Sequence, residues 1–176
     1  AGTIHTRSGG IMASEDDFTI KITGRGGHAS APHTGIDPLA SAVEIYQGIQ
    51  TIISRNVNPQ HPAVISVTEF ITDGAHNAIP TNVEMRGDAR SCSAEDRRLI
   101  EMRMRKICES DCEMNGAECS FTYTHEFLPL CNTKECADNA AAAARIVVGD
   151  ENVNADCEPW MGSEDVAAFL EYVPGC

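Results

Sequence analysis

The run Gly24-Arg25-Gly26-Gly27-His28-Ala29-Ser30-Ala31-Pro32-His33 gathers residue types that do chemistry into one short segment. A histidine such as His28 can bind, donate a hydrogen bond or exchange a proton near neutral pH. The glycines around it let the backbone take left-handed angles or approach another chain segment closely. The same run fits G-x-G-x-x-A, the relaxed dinucleotide fingerprint, but that chemistry is rejected. A pyrophosphate needs the glycines to open directly into a helix. Here Pro32 and further loop residues separate them from the next helix start, Asp37-Pro38. A Gly-rich connection with surface histidines is the plainer reading of the segment taken alone.

The elements that hold this loop follow from hydrophobic periodicity. Phe18, Ile20 and Ile22 alternate with polar residues, which predicts a strand over residues 18–23. Asp37-Pro38 caps a helix to about Arg55, with Leu39, Ala42, Val43, Tyr46, Ile49 and Ile53 as its apolar face. Residues 63–71, rich in β-branched side chains, form a second strand. A turn-rich connection over residues 72–80 leads to a third at 82–90, where Val83, Met85, Gly87 and Ala89 share one face. Ser93 caps a second helix with Ile100, Met104, Ile107 and Cys108 as its buried stripe, and Asn115-Gly116 stops it. Residues 119–124 make a fourth strand.

The order β-α-β-β-α-β is the split βαβ, or ferredoxin-like, pattern. It predicts an α+β domain, a four-stranded antiparallel sheet with two helices on one face. The second strand is expected at a sheet edge, free to pair with a second copy. After Leu128-Pro129 the texture changes to an alanine-rich helix over 138–148, an acidic loop, and a short helix ending near Tyr172. That tail has too few strands to stand as a domain.

Composition narrows the partners. The chain has 176 residues and a net charge of −13, which argues against nucleic acid and anionic membranes. No apolar stretch is long enough to span a bilayer. The start at Ala1 and the end at Pro174-Gly175-Cys176 lead us to expect part of a longer protein. The eight cysteines are irregularly spaced, with no C-x-x-C. Cys108 and Cys112, one helical turn apart, suit packing, and Cys131 with Cys136 is a weak metal candidate. Reduced, buried or half-buried thiols are the expectation.

Several motifs occur in a fixed order: Gly9-Gly10-Ile11-Met12-Ala13, Gly24 to His33, Ile36-Asp37-Pro38, Asn77-Ala78-Ile79-Pro80, Gly87-Asp88-Ala89-Arg90, Met161-Gly162-Ser163-Glu164-Asp165 and Val173-Pro174-Gly175. In this the whole chain resembles the zinc-dependent aminoacylase and carboxypeptidase family, in its hippurate-hydrolase and auxin-conjugate amidohydrolase branch. The resemblance implies a catalytic domain that binds two divalent metal ions, zinc, manganese or similar, with a ferredoxin-like lid inserted into it. Residues 15–128 would be the lid. Residues 1–14 and 129–176 would be partial segments of the α/β catalytic domain. The metal-binding Cys-Gly-His-Asp segment, the paired catalytic glutamates and a last histidine ligand have no match here. This chain alone is therefore expected to hold no metal pair and to be inactive.

The resemblance also implies roles. His28 matches the lid histidine that reaches the partner subunit and donates to the oxyanion of the tetrahedral intermediate, worth roughly 3 kcal/mol. Asn77 matches an asparagine that helps hold substrate, though an Asx-turn residue would read the same. Arg90 suits a bidentate clamp on a substrate carboxylate, or a pair within the lid with Asp88 or Glu84. Met161, Gly162, Ser163 and Glu164 match an active-site loop whose small residues present backbone N–H groups to substrate. His33 is taken as structural, and His5, His61, His76 and His125 as surface residues. The implied protein is a cytoplasmic homodimer, joined through its lids, that hydrolyses a small-molecule amide such as an N-acyl amino acid. A stand-alone ferredoxin-like binding or regulatory module without catalysis is the alternative.

Overall fold

The computed structural model describes residues 2–176. Its strands and helices are β1 (Ile4–His5), β2 (Gly9–Met12), β3 (Glu15–Thr23), β4 (Gly27–His28), α1 (Pro38–Arg55), β5 (Ala63–Thr72), β6 (Ala78–Ile79), β7 (Asn82–Ser91), α2 (Ala94–Asn115), β8 (Glu118–Phe127), β9 (Leu130–Asn132), α3 (Lys134–Val148) and β10 (Val153–Asn154). Helix starts follow local chemistry. The Asp37 carboxylate accepts from Leu39 N and Pro38 opens α1. Ser93 Oγ accepts from Glu95 N and Asp96 N at the head of α2, and Gly116, at φ 71°, ends it in the left-handed conformation.

The main sheet has the order β5-β7-β3-β8 and is antiparallel throughout. This is the ferredoxin-like arrangement, with β5 at an edge. Phe18, Ile20, Ile22, Val83 and Met85 from the sheet pack against Ile45, Ile49 and Ile52 of α1 and Ile100 and Met104 of α2. Each such side chain contributes about 1.5–3 kcal/mol on burial, so this single layer dominates the stability of the sheet domain. The opposite face is polar, with Lys21–Glu84 at 3.3 Å and Arg86–Glu69 at 3.3 Å.

Two expectations need correction. The buried face of α1 is Ser41, Ala42, Ile45, Ile49 and Ile52, whereas Leu39, Val43 and Tyr46 are exposed. The short helix before Tyr172 is a 3₁₀ segment, Asp165–Glu171.

Gly87 has a packing reason. It lies directly opposite Phe18, and a Cβ there would sit 2.1 Å from Ser66 O and 2.4 Å from Phe18 Cζ. Gly87→Ala should therefore destabilise the protein by about 1–3 kcal/mol through overpacking. A melting temperature unchanged from wild type would refute this.

The flanking segments meet each other rather than the lid core. β1 pairs parallel with β10, β2 pairs antiparallel with β9, and Met12 bridges Trp160. They join the lid where Ser14 N donates to Ser91 O at 2.8 Å. Among the described residues, no helix is long and apolar enough to cross a membrane.

Candidate functional site

The loop after β3 folds back beside the loop after β5. Gly27 pairs with Ile79, His28 pairs with Ala78, and Ala29 N donates to Asn77 O at 2.9 Å. This two-stranded ladder brings His28 and Asn77 together from opposite sides of α1 in the sequence. Glycines permit the fold-back by close approach and not by left-handed angles. A Cβ on Gly24 would meet Ile36 O at 2.3 Å, and one on Gly26 would meet Ile79 O at 2.7 Å. Neither has positive φ.

His28 is exposed, and its ring is oriented by Ser30. Nδ1 accepts from Ser30 N at 3.1 Å and lies 2.8 Å from Ser30 Oγ. A nitrogen that accepts a backbone N–H carries no proton, so this bond network assigns the proton to Nε2. Nε2–H is thus a directed donor facing solvent. Beneath Asn77, Asp73 Oδ1 accepts from Thr81 N and Asn82 N at 2.9 and 3.0 Å, and Oδ2 accepts from Asn82 Nδ2. Hydrogen bonds from Asn82, then Thr81, hold the Asp73 carboxyl below its usual range. The loop over 73–82 is therefore pinned at both ends while Asn77 stays exposed at its tip.

Arg90 sits at the other end of β7. Its Nε donates to Asp88 Oδ1 at 2.9 Å, Nη2 meets Glu15 Oε2 at 3.1 Å, and Nη1 donates to Met161 O at 3.1 Å. Burial opposes its charge, but Asp88 and Glu15 outweigh that and hold its ionisation up. Ser163 Oγ donates to Glu15, and Gly162 O accepts from Ala13 N at 3.0 Å. Glu164 caps the following 3₁₀ turn by accepting from Asp165 N. The arginine thus ties the loop 161–164 to the main sheet. Asp17 beside it is pushed up by partial burial, then by Glu126, Asp88 and Glu15.

Sequence reasoning missed a charged cluster at the junction of lid and flanks. Asp16 is buried and accepts from Arg97 Nε at 2.8 Å, Arg97 Nη2 at 2.5 Å and Ser14 Oγ at 3.2 Å. His125 Nδ1 lies 2.8 Å from Asp16 Oδ1, and its Nε2 lies 3.3 Å from Glu101 Oε2. His61 Nδ1 pairs with Asp96 at 2.8 Å. So His125 and His61 are exposed, as expected, and each ring also lies against carboxylates of the cluster. Their partners are 109 and 35 residues away in the chain, too far for any spacing to reveal. His33 is exposed in the 3₁₀ turn Pro32–Thr34.

Among the described residues, no group of three or more His, Cys, Asp or Glu is arranged to hold a metal ion. The residues present do not fit a two-metal centre. The fold is a ferredoxin-like α+β sheet layer with two loop clusters, His28 with Asn77 at one end and Arg90 with residues 161–164 at the other. Residues 16–115 match the family model described as peptidase dimerisation domain. N-acetylcysteine deacetylase of Bacillus subtilis is 37% identical over 174 residues, covering 99% of this chain and 45% of that protein. Hippurate hydrolase of Campylobacter jejuni is 34% identical, covering 95% of this chain and 44% of that protein. A solved Bacillus subtilis structure, described as a dinuclear metal binding peptidase from the M20 family, superposes with a TM-score of 0.78. It is 29% identical, covering 99% of this chain and 42% of that one. This chain belongs to the M20 family of amidohydrolases and peptidases, through its dimerisation domain. It spans less than half the length of these relatives.

Proposed function

We propose that this chain is the lid and adjoining part of a metal-dependent amidohydrolase that cleaves the amide bond of N-acyl amino acids or related conjugates. One observation carries the reading. His28 and Asn77 lie at the Asn82 end of β7, whereas Arg90 and the loop 161–164 lie at its far end. At 3.3 Å per residue, the eight steps from Asn82 to Arg90 put these groups roughly 26 Å apart. One small substrate cannot touch both within a protomer. A two-fold partner can bring the His28 end of one lid to the loop 161–164 of the other. Nε2–H of His28 would then donate to the oxyanion, Asn77 would hold the substrate's polar group, and Arg90, Met161, Gly162, Ser163 and Glu164 would form the facing wall. Two divalent metal ions, bound by parts of the enzyme outside this chain, would supply the activated water. The exposed Ile146, Val147, Trp160, Phe169 and Tyr172, all in the flanking segments, suit a surface covered by the rest of a catalytic domain. Hydrolysis of N-acetyl- and N-benzoyl-amino acids by the full-length enzyme, supplied with zinc or manganese, tests the reading. Free amino acid should appear and a chelator should stop it. Cleavage of peptides alone, with N-acyl amino acids untouched, would overturn it.

The same reading requires a homodimer through the lid. Edge strand β5 leaves its outer backbone groups unpaired. α2 contacts α1 at Gly48 and Glu44. The exposed Leu39, Val43 and Tyr46 therefore lie on the opposite flank of α1, toward the β5 edge. Strand edge and apolar stripe make one surface that a second copy can cover. Replacing Val43 and Tyr46 together by Glu should weaken the dimer by at least about 100-fold, since two large apolar side chains are worth about 3 kcal/mol or more. Sedimentation at several concentrations reads this; a variant dimer as tight as wild type would remove the assigned surface.

A further inference from the structure

The chain enters the main sheet side by side with the loop 161–164. Met12 bridges Trp160 in parallel, and Ala13 N donates to Trp160 O at 3.1 Å and to Gly162 O at 3.0 Å. From there successive side chains alternate between faces. Ser14 and Asp16 are buried and bonded to each other, whereas Glu15, the first residue of β3, turns the other way toward Arg90. It lies one step beyond the Asp16–Ala89 pair of the β3–β7 ladder, so Glu15 and Arg90 are cross-strand neighbours. A single oxygen, Oε2 of Glu15, accepts from Ser163 Oγ and meets Arg90 Nη2 at 3.1 Å. The same guanidinium donates to Met161 O. Both ends of Met161-Gly162-Ser163 therefore converge on Glu15, one directly and one through Arg90. Residues 161–164 belong to no strand or helix, so contacts of this kind must fix the shape of the loop. Bonds to a carboxylate are the stronger, charge-assisted sort. No motif marks Glu15, because Ser163 lies 148 residues away along the chain.

We propose that Glu15 is a positioning residue, whose carboxylate sets the shape of the loop 161–164 by holding Ser163 directly and Met161 through Arg90. The proposal rests on the reading of that loop as one wall of the substrate site. Glu15 acts through its two neighbours and not by contact with substrate. A wall that binds ground state and transition state alike lowers KM and leaves kcat alone. Letting the wall drift therefore raises KM. A purely structural loss would act differently: a smaller folded fraction lowers the apparent kcat and leaves KM where it was.

The test uses the full-length enzyme and whichever amide it hydrolyses. Glu15→Ala should raise KM by roughly tenfold or more, with kcat within about threefold of wild type. Glu15→Gln keeps a carbonyl oxygen that can accept from both neighbours, so its KM should return to within about threefold of wild type. Ser163→Ala added to Glu15→Ala should change KM little further, because the bond between them is already gone. Limited digestion with a glutamate-specific protease reads the loop without turnover. Cleavage after Glu158 or Glu164 should be several-fold faster in Glu15→Ala, relative to cleavage elsewhere in the chain, because cutting follows local opening. An unchanged KM in Glu15→Ala, a fall in kcat alone, no recovery in Glu15→Gln, or loop cleavage at the wild-type rate would each overturn the proposal. A wild-type enzyme that leaves N-acyl amino acids untouched would overturn the substrate reading alone, since Glu15 is judged on the amide that is hydrolysed and on loop cleavage.

Discussion

His28→Ala in the full-length enzyme is expected to lower kcat by 10² to 10³, about 2.7–4 kcal/mol, with substrate affinity nearly unchanged. The size follows from the tautomer. Ser30 occupies Nδ1, so the ring proton sits on Nε2, which has no hydrogen-bond partner among the described residues. A donor of this kind contributes mainly once negative charge develops on the substrate oxygen, so its loss falls on kcat. Ser30→Ala should cost much less, because the Ser30 backbone N–H still fixes the ring. A role across the dimer would have its own signature. Mixing His28→Ala subunits with subunits inactivated in the catalytic domain leaves one intact site in each mixed dimer. Each mixed dimer should recover about half of a wild-type dimer's activity. Near-normal kcat in His28→Ala, or no recovery on mixing, would return His28 to an ordinary loop residue.

Arg97→Ala is expected to destabilise the protein by about 3–5 kcal/mol, a fall of roughly 10 °C in Tm. Asp16 is 1% exposed and receives a forked pair of bonds from the Arg97 guanidinium. Without that cation the carboxylate stays buried at the junction of lid and flanking segments, with Ser14 and His125 as its remaining partners. Arg97→Lys keeps the charge but not the fork and should recover only part of the loss. Replacing Asp16 and Arg97 together by apolar residues should cost much less than the sum of the single changes, because no unpaired charge remains. Thermal melts of wild type, the two single apolar variants and the double variant form the cycle. Additive effects, or a shift of only one or two degrees in Arg97→Ala, would show that Arg97 is not what compensates the buried Asp16 carboxylate.

Much of the fold was legible because local rules and the global arrangement agree. Asp37-Pro38, Ser93 and Gly116 mark helix ends by their own chemistry, and the alternation of Phe18, Ile20 and Ile22 states which face of β3 is inward. The face of α1 was legible only in part: Ala42, Ile49 and Ile53 meet the core as expected, whereas Leu39, Val43 and Tyr46 do not. Leu39, Val43 and Tyr46 recur at helical spacing beside Ile45 and Ile52, so periodicity alone offers two overlapping stripes. Only the position of the sheet and of α2 decides which becomes core and which stays outside.

The candidate site divides in the same way. Sequence by itself determined the local pieces: a Gly-rich loop carrying His28, a turn carrying Asn77, a strand ending in Arg90, and a small-residue loop at 161–164. Tertiary structure alone decided their company. The β4–β6 ladder joins His28 to Asn77, Arg90 spends its donors on Asp88, Glu15 and Met161, and Asp16 gathers Arg97 and His125 from 81 and 109 residues away. The physical reason is range. Caps, turns and alternation act over a few residues and leave their mark in the order of the chain, whereas ion pairs and ladder contacts act through space between segments whose separation along the chain carries no signal.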